Sequence, residues 1–320
     1  MEQTRRPAEP WIAGLARLYD QQLRDHVSSF SNMHGGRSRS AAYVDDLYFR
    51  LVALAEPQRF VEVGAYKAEA SRRIRSEHPG IRAVAFEANP HNHARYSKEI
   101  DYAAAGVEYL HLAVADGPTE LTFQLRTEAA GEALHEVTGN SSLLRRTDDD
   151  TTYEEIPVPA TALDRFFPPQ DAVPTCSWID VEGASGAVLS GGEQFLKSCK
   201  VVKIEVEEKP MWRGQWLSLD VIEHFLAAGF QPMARDIEYE NQFNIVFVEN
   251  DFARDHRVLS AMEYQGNYMV HHLSEDIDDT PVTAQPDDAP APVQDAPAES
   301  PARSAISRVR GAVRQRISGR

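Results

Sequence analysis

Three short segments place acids where the chain turns. The first is Phe60-Val61-Glu62-Val63-Gly64-Ala65-Tyr66-Lys67, an apolar run that ends in an acid and a glycine. In a doubly wound sheet, ligands sit beyond the carboxyl ends of the strands, and a glycine there admits a ligand close to the backbone. Alone, the segment reads equally well as an ordinary strand–helix turn. The second is Ala85-Phe86-Glu87-Ala88-Asn89-Pro90. An acid ending a second strand can accept hydrogen bonds from both hydroxyls of an adenosine ribose. Before Pro90 the same acid suits a helix N-terminus, and the two roles are compatible. The third is Trp178-Ile179-Asp180-Val181-Glu182-Gly183. Two residues apart on a strand, Asp180 and Glu182 would share one face. Acids at a sheet mouth are costly to bury without partners, which marks them as functional. They could orient a ligand, ligate a cation or act as a base. A solvated strand end is the plainer alternative.

The elements that must position these acids follow from the apolar pattern. Trp11, Ile12, Leu15, Leu18, Tyr19, Leu23, Val27 and Phe30 recur at helical spacing, and a second helix covers about 41–55 before Pro57. From residue 59 the pattern alternates. Strands are predicted at 59–63, 82–87, 107–114, 176–181 and 200–207, helices at 66–77, 91–104, 185–197 and 217–228, and a hairpin near 231–237 and 243–249. Such alternation implies right-handed crossovers and a mostly parallel sheet with helices on both faces, here ending in an antiparallel hairpin. The predicted organisation is a helical extension over 1–56, a Rossmann-like domain over 57–252, its closing segment over 253–270 and a tail over 271–320.

Composition narrows the function. The 320 residues carry 33 Lys+Arg against 49 Asp+Glu, a net charge of −16, so a globally basic nucleic-acid binder is not expected. Residues 271–300 hold eight acids, five prolines and no Lys or Arg, and read as a disordered linker. Residues 301–320 hold six arginines and no acid, with Ile306, Val309, Val313 and Ile317 at helical spacing. That basic end could touch an acidic partner or a membrane surface. Cys176 and Cys199, without CxxC spacing, read as buried thiols. Neither a signal peptide nor an 18-residue apolar stretch is apparent, so a cytoplasmic protein without a transmembrane segment is the default expectation. The absence of GxGxxG (position 66 is Tyr and 69 is Glu) argues against a nicotinamide-dependent oxidoreductase.

The order FVEVGAYKAEAS, AFEANP, VPATALDRFF, SWIDVEGASGAVLSGGEQFL and VVKIEVEE resembles the FkbM-like family of S-adenosylmethionine-dependent methyltransferases over roughly residues 57–250. The resemblance implies a seven-stranded Rossmann-like methyltransferase fold and O-methylation of a hydroxyl on a saccharide or glycosylated natural product. It implies that Glu62 and Gly64, with Ala65 and Tyr66, hold the methionine end of S-adenosylmethionine. Glu87 would bind the ribose, Asn89 belongs to the E-x-N-P turn, and Val114 packs the adenine. Asp180 would lie near the methyl group and is the first candidate base; Glu182 and Gly183 shape the same loop. His34, His91, His93 and His135 are weaker bases. Ser141 and Ser142 would line the pocket, and Trp212 or Trp216 could stack on an acceptor sugar or pack in the core. Mg²⁺ could sit on Asp180 and Glu182, although a metal is not expected. Lys67 and Ala68 stand where the family often has a small polar residue and a glycine, so the first turn should close through a residue with negative φ. Ser185 stands where the family often has Glu after E-G-A. In-line transfer from an activated sulfonium needs mainly positioning. The competing reading is a non-catalytic interaction protein that acts through its charged tail.

Overall fold

The computed structural model describes residues 9–31, 35–148 and 150–263. His34, residues 264–270 and the whole 271–320 tail, with its basic end, lie outside them.

Helices α1 (Pro10–Ser31) and α2 (Gly36–Ala55) lead into β1 (Arg59–Val63), α3 (Glu69–Glu77), β2 (Arg82–Glu87), α4 (Pro90–Glu99), α5 (Tyr102–Ala105) and β3 (Val107–His111). There follow β4 (Ala113–Val114), β5 (Glu120–Ala129), β6 (Glu132–Ala133), β7 (Thr151–Thr161), α6 (Leu163–Phe166) and β8 (Thr175–Ile179). The last elements are α7 (Ser185–Ser190), α8 (Glu193–Leu196), β9 (Cys199–Glu207), α9 (Ser218–Ala227), β10 (Phe230–Arg235) and β11 (Gln242–Glu249).

The main sheet has seven strands in the order β10-β11-β9-β8-β1-β2-β3. Its five central and β3-side strands are parallel, and the β11 and β10 edge is antiparallel. The expected fold class is therefore what forms. The reversal of strand order between β1 and β8 leaves a crevice at the carboxyl ends, where such sheets bind ligands.

Apolar residues cover both faces. Val61, Val63, Val84, Ile179, Val202 and Ile204 pack with α7, α9 and Ala16 and Leu23 of α1. Phe60, Cys176, Val201, Val246 and Val248 pack with α2 and Ile74 of α3. Period-two alternation of the strands sorts the two sets. Helices α1 and α2 are thus core partners of the sheet, and all described residues fall in one compact unit. Both cysteines are buried and free. No described helix is long and apolar enough to cross a membrane.

Several predicted elements are divided. The 107–114 strand breaks at Leu112, whose amide turns to the Glu87 carbonyl, and Ala113–Val114 pairs with β7 in a second sheet. The 91–104 helix stops at Ile100, and Asp101 caps a new turn by accepting from Ala104 N. The 185–197 helix is split by Gly191-Gly192, where added Cβ atoms would meet Asp116 N at 3.0 Å and the Leu163 side chain at 3.1 Å. The 176–181 strand ends at Ile179. Unforeseen is the second sheet itself, in the order β4-β7-β5-β6. Pro157 and Pro159 interrupt its longest strand and remove two ladder donors, which hides it from pattern reading.

Phe225 is fully buried and stacks on Phe247 at 4.0 Å. Phe225→Ala should lower the unfolding free energy by about 3–5 kcal/mol, measured by urea titration.

Candidate functional site

The β1–α3 and β8–α7 turns lie against each other. Gly64 has φ +78°, and a Cβ there would stand 1.6 Å from the Asp180 carbonyl oxygen. Asp180 N donates to Val63 O at 2.8 Å. The glycine therefore admits a neighbouring backbone, where a ligand was expected. The turn then closes with Tyr66 at φ +48° and Ala68 at φ +51°. This corrects the expected negative-φ closure: two side-chain-bearing residues adopt the left-handed conformation that the family's glycine would adopt freely.

Hydrogen bonds hold this geometry. Gly64 N and Ala65 N donate to Phe86 O. Tyr66 N donates to Glu87 Oε2 at 2.6 Å, and Tyr66 and Tyr96 hydroxyls meet at 2.7 Å. Glu62 Oε2 accepts from Ser71 N at 2.7 Å, so this carboxyl caps α3. Glu87 Oε1 accepts from Asn89 N and Asn92 Nδ2. Asn89 caps α4 through Oδ1, and its Nδ2 donates to Glu136 O. Val114 is buried in the core beside the Glu87 strand end. Burial pushes Glu62 and Glu87 each up to about 7, against the lowering effect of those donors.

A segment leaving the second sheet crosses the mouth. Thr138 O and N bond the Asn92 side chain. Ser142 Oγ donates to Glu182 O at 2.6 Å, and Thr147 N donates to Met211 O at 2.9 Å. Residues 136–147 thus tie the β2–α4, β8–α7 and β9–α9 turns together. Ser141 faces inward, its Oγ accepting from Arg126 N.

Asp180 and Glu182 do come together, by a route other than a shared strand face. They follow the end of β8, and Glu182 has φ +49°. Their carboxylates and that of Glu205 lie within 4.8 Å of one another. Sheet register explains the third acid. Ile179 pairs with Ile204, so Asp180 and Glu205 come next on adjacent parallel strands. Glu207, two further along β9, shares the face of Glu205. Gln242 Nε2 donates to Glu182 at 3.2 Å and to Glu205 at 2.9 Å. Burial raises all four acids. Glu182 goes to about 8, with Asp180 and Glu207 adding to the effect, and Glu207 goes to about 7. Burial raises Asp180 against the lowering effect of its hydrogen bond with Glu205 and of Lys203, and Glu205 is raised well above the usual range. Glu205, Glu207 and Gln242 were missed in the sequence; the alternate acids of KIEVE were the available signal.

Other candidates sit elsewhere. Trp212 is 1% exposed and Trp216 5%, so neither presents an open ring to a sugar. Trp212 packs on Gly183, where a Cβ would stand 2.3 Å from Cδ1. His91 faces Glu136, His93 stacks between Tyr109 and His111, and His135 accepts from Val137 N. None of these contacts reaches Asp180.

Strand order and a carboxyl-end crevice rimmed by acids define a Rossmann-like methyltransferase fold. The sequence profile described as the methyltransferase FkbM domain matches residues 62–232, more than half of the chain. The protein belongs to the FkbM methyltransferase family, and so to proteins that use a donor of the S-adenosylmethionine type. No curated protein sequence matches it. Among solved structures, the bifunctional kinase-methyltransferase WbdD is similar at 11% identity and TM-score 0.35, over 65% of this chain and 38% of that one. EvdMO1 is similar at 10% identity and TM-score 0.35, over 63% and 40%. A putative tRNA (m1A22) methyltransferase of Streptococcus pneumoniae, Sp1610, gives 11% and 0.31, over 72% and 89%. The chain thus spans about two fifths of the length of the first two, and likenesses at such scores add no weight to the family match.

The raised acids fix a sign for pH. A carboxyl that holds its proton more tightly folded than unfolded stabilises the fold at low pH and loses that contribution as pH rises through its folded value. Stability should therefore fall from about pH 5, above the unfolded glutamate value of about 4.3, to the region of 8 set by Glu182. Urea midpoints across this range should show the decline, and Glu182→Gln should flatten it. Gly64→Ala, which must displace the Asp180 carbonyl, should abolish cooperative thermal unfolding or lower the midpoint more than any other change at the mouth.

Proposed function

We propose that this protein transfers a methyl group from S-adenosylmethionine to a hydroxyl oxygen of a saccharide or glycosylated small molecule. The observation that carries this reading is the convergence of Glu87, the Gly64–Tyr66 turn and Asp180 at the carboxyl ends of three adjacent parallel strands, β2, β1 and β8. The donor set suits the cofactor. A buried carboxylate at the β2 end can accept from two ribose hydroxyls. Acids around the turn favour a ligand with a sulfonium and an ammonium. The saccharide class follows from the family resemblance of the sequence.

When bound, the cofactor supplies a sulfonium methyl that leaves its sulfur as the oxygen–carbon bond forms. Glu87 would orient the ribose through Oε2, which here accepts from Tyr66 N. The 136–147 crossing excludes water from the mouth. Asp180 takes the acceptor's hydroxyl proton, and its carboxyl holds a proton more tightly than an ordinary aspartate does. The products are an ether, a thioether and one proton.

Calorimetric titration tests the reading. The wild type should bind S-adenosylhomocysteine at micromolar concentration and NAD(H) not at all. Glu87→Ala should weaken binding by about 10- to 150-fold, the loss of charged hydrogen bonds of about 1.5–3 kcal/mol. A folded wild type that ignores both sulfur ligands would falsify the proposal.

A further inference from the structure

We propose that Asp180, Glu182 and Glu205 form a binding site for one hard divalent cation of the Mg²⁺ or Mn²⁺ type, with Glu207 facing it from behind.

Three observations carry this. The first is spacing. One carboxylate oxygen from each of the three residues lies within 4.8 Å of the others. Opposite ligands around an octahedral Mg²⁺ stand about 4.2 Å apart, so side-chain rotation is what must draw oxygens held within 4.8 Å onto one ion. The second lies outside those three residues. Glu207 is 1% exposed, shares the face of Glu205 on β9, and has one oxygen, Oε1, without a hydrogen-bond partner. Its Oε2 takes Gln215 Nε2 at 3.0 Å. A buried carboxylate oxygen left bare beside three other acids is a costly arrangement unless positive charge arrives. The third is the surrounding charge. Two cations whose fields reach these acids pair with other groups: Lys203, which acts on Asp180, pairs with Asp45 and lies 3.4 Å over the Trp178 ring, and Arg146, which acts on Glu182 and Glu207, pairs with Asp148 at 3.1 Å and lies over Trp212. Neither appears among the hydrogen-bond partners of the four acids.

The all-oxygen donor set selects hard ions over Zn²⁺, which favours nitrogen and sulfur. Gln242, which bridges Glu182 and Glu205 through Nε2, can present Oε1 instead by rotating its amide. A cation here would also acidify an acceptor hydroxyl; that role, unlike the site, rests on the methyl-transfer reading.

The test is Mn²⁺ titration of the full-length, chelator-treated protein without any sulfur ligand, followed by calorimetry and by the electron spin signal of free Mn²⁺. One ion should bind per chain. Glu205→Gln should weaken binding about tenfold or more, and Mg²⁺ should compete. Should Glu205→Gln lack a cooperative melt, Asp180→Asn and Glu207→Gln decide in its place. No saturable site in the wild type, or affinity unchanged in the folded variants, overturns the proposal. A chain that binds S-adenosylhomocysteine but not Mn²⁺ loses only the cation site. One that binds Mn²⁺ but no sulfur ligand keeps the site and loses the methyl-transfer reading.

Discussion

The Asp180 carbonyl occupies the space where residue 64 would carry a Cβ. This backbone contact joins the turn after β1 to the turn after β8, the two strands between which the sheet reverses direction. Once they touch, the acid that follows β8 stands beside the turn that meets Glu87. The left-handed conformations at Tyr66, Ala68 and Glu182 are local costs of the same contact, each of order 1–3 kcal/mol. The packed sheet on both faces over-determines them. Strain of this kind persists where the surroundings leave no cheaper path; of the described non-glycine residues at positive φ, three lie at this mouth, and the others are Glu56 after α2 and Ala130 in the β5–β6 hairpin.

The same packing explains why so much acid can be held at one end of the sheet. Val202, Ile204 and Val206 point into one apolar face, so Lys203, Glu205 and Glu207 must point to the other. At the start of that row, Lys203 finds Asp45 of α2 and the Trp178 ring. Two residues on, the Glu205 carboxyl meets those of Asp180 and Glu182 in the neighbouring turn. Stability alone would favour apolar or neutral side chains here, because like charges and lost hydration both work against the fold. The acids stand where sequence and global fold disagree, and such conflicts concentrate at working sites.

Much of this was legible in the residues. Apolar runs ending in Glu62, Glu87 and Asp180 announced strands and their carboxyl ends, and their alternation with helices announced a mostly parallel sheet. Legibility failed where the cause was tertiary. Gly64 announces a close approach without saying whether ligand or backbone arrives. Glu205 and Glu207 look like a solvated strand end until the register sets Glu205 next to Asp180. The second sheet hid behind Pro157 and Pro159, because a strand without ladder donors shows no propensity signal. The tryptophans misled for a related reason: Trp212 follows a strand, as a ligand-facing loop residue would, but Gly183 opens the space into which its ring folds.

The second sheet changes what the mouth can be. An open crevice of the usual kind would leave Glu87 and Asp180 to water, and their carboxyls would keep ordinary proton affinities. Here the 136–147 crossing bonds to Asn89 and Asn92 on one side, to the Glu182 carbonyl in the middle and to the 211–213 loop on the other. Desolvation is the leading cause of every raised carboxyl at the site. The crossing spans the turns that carry these acids, so a change that loosens it should admit water and lower their proton affinities together.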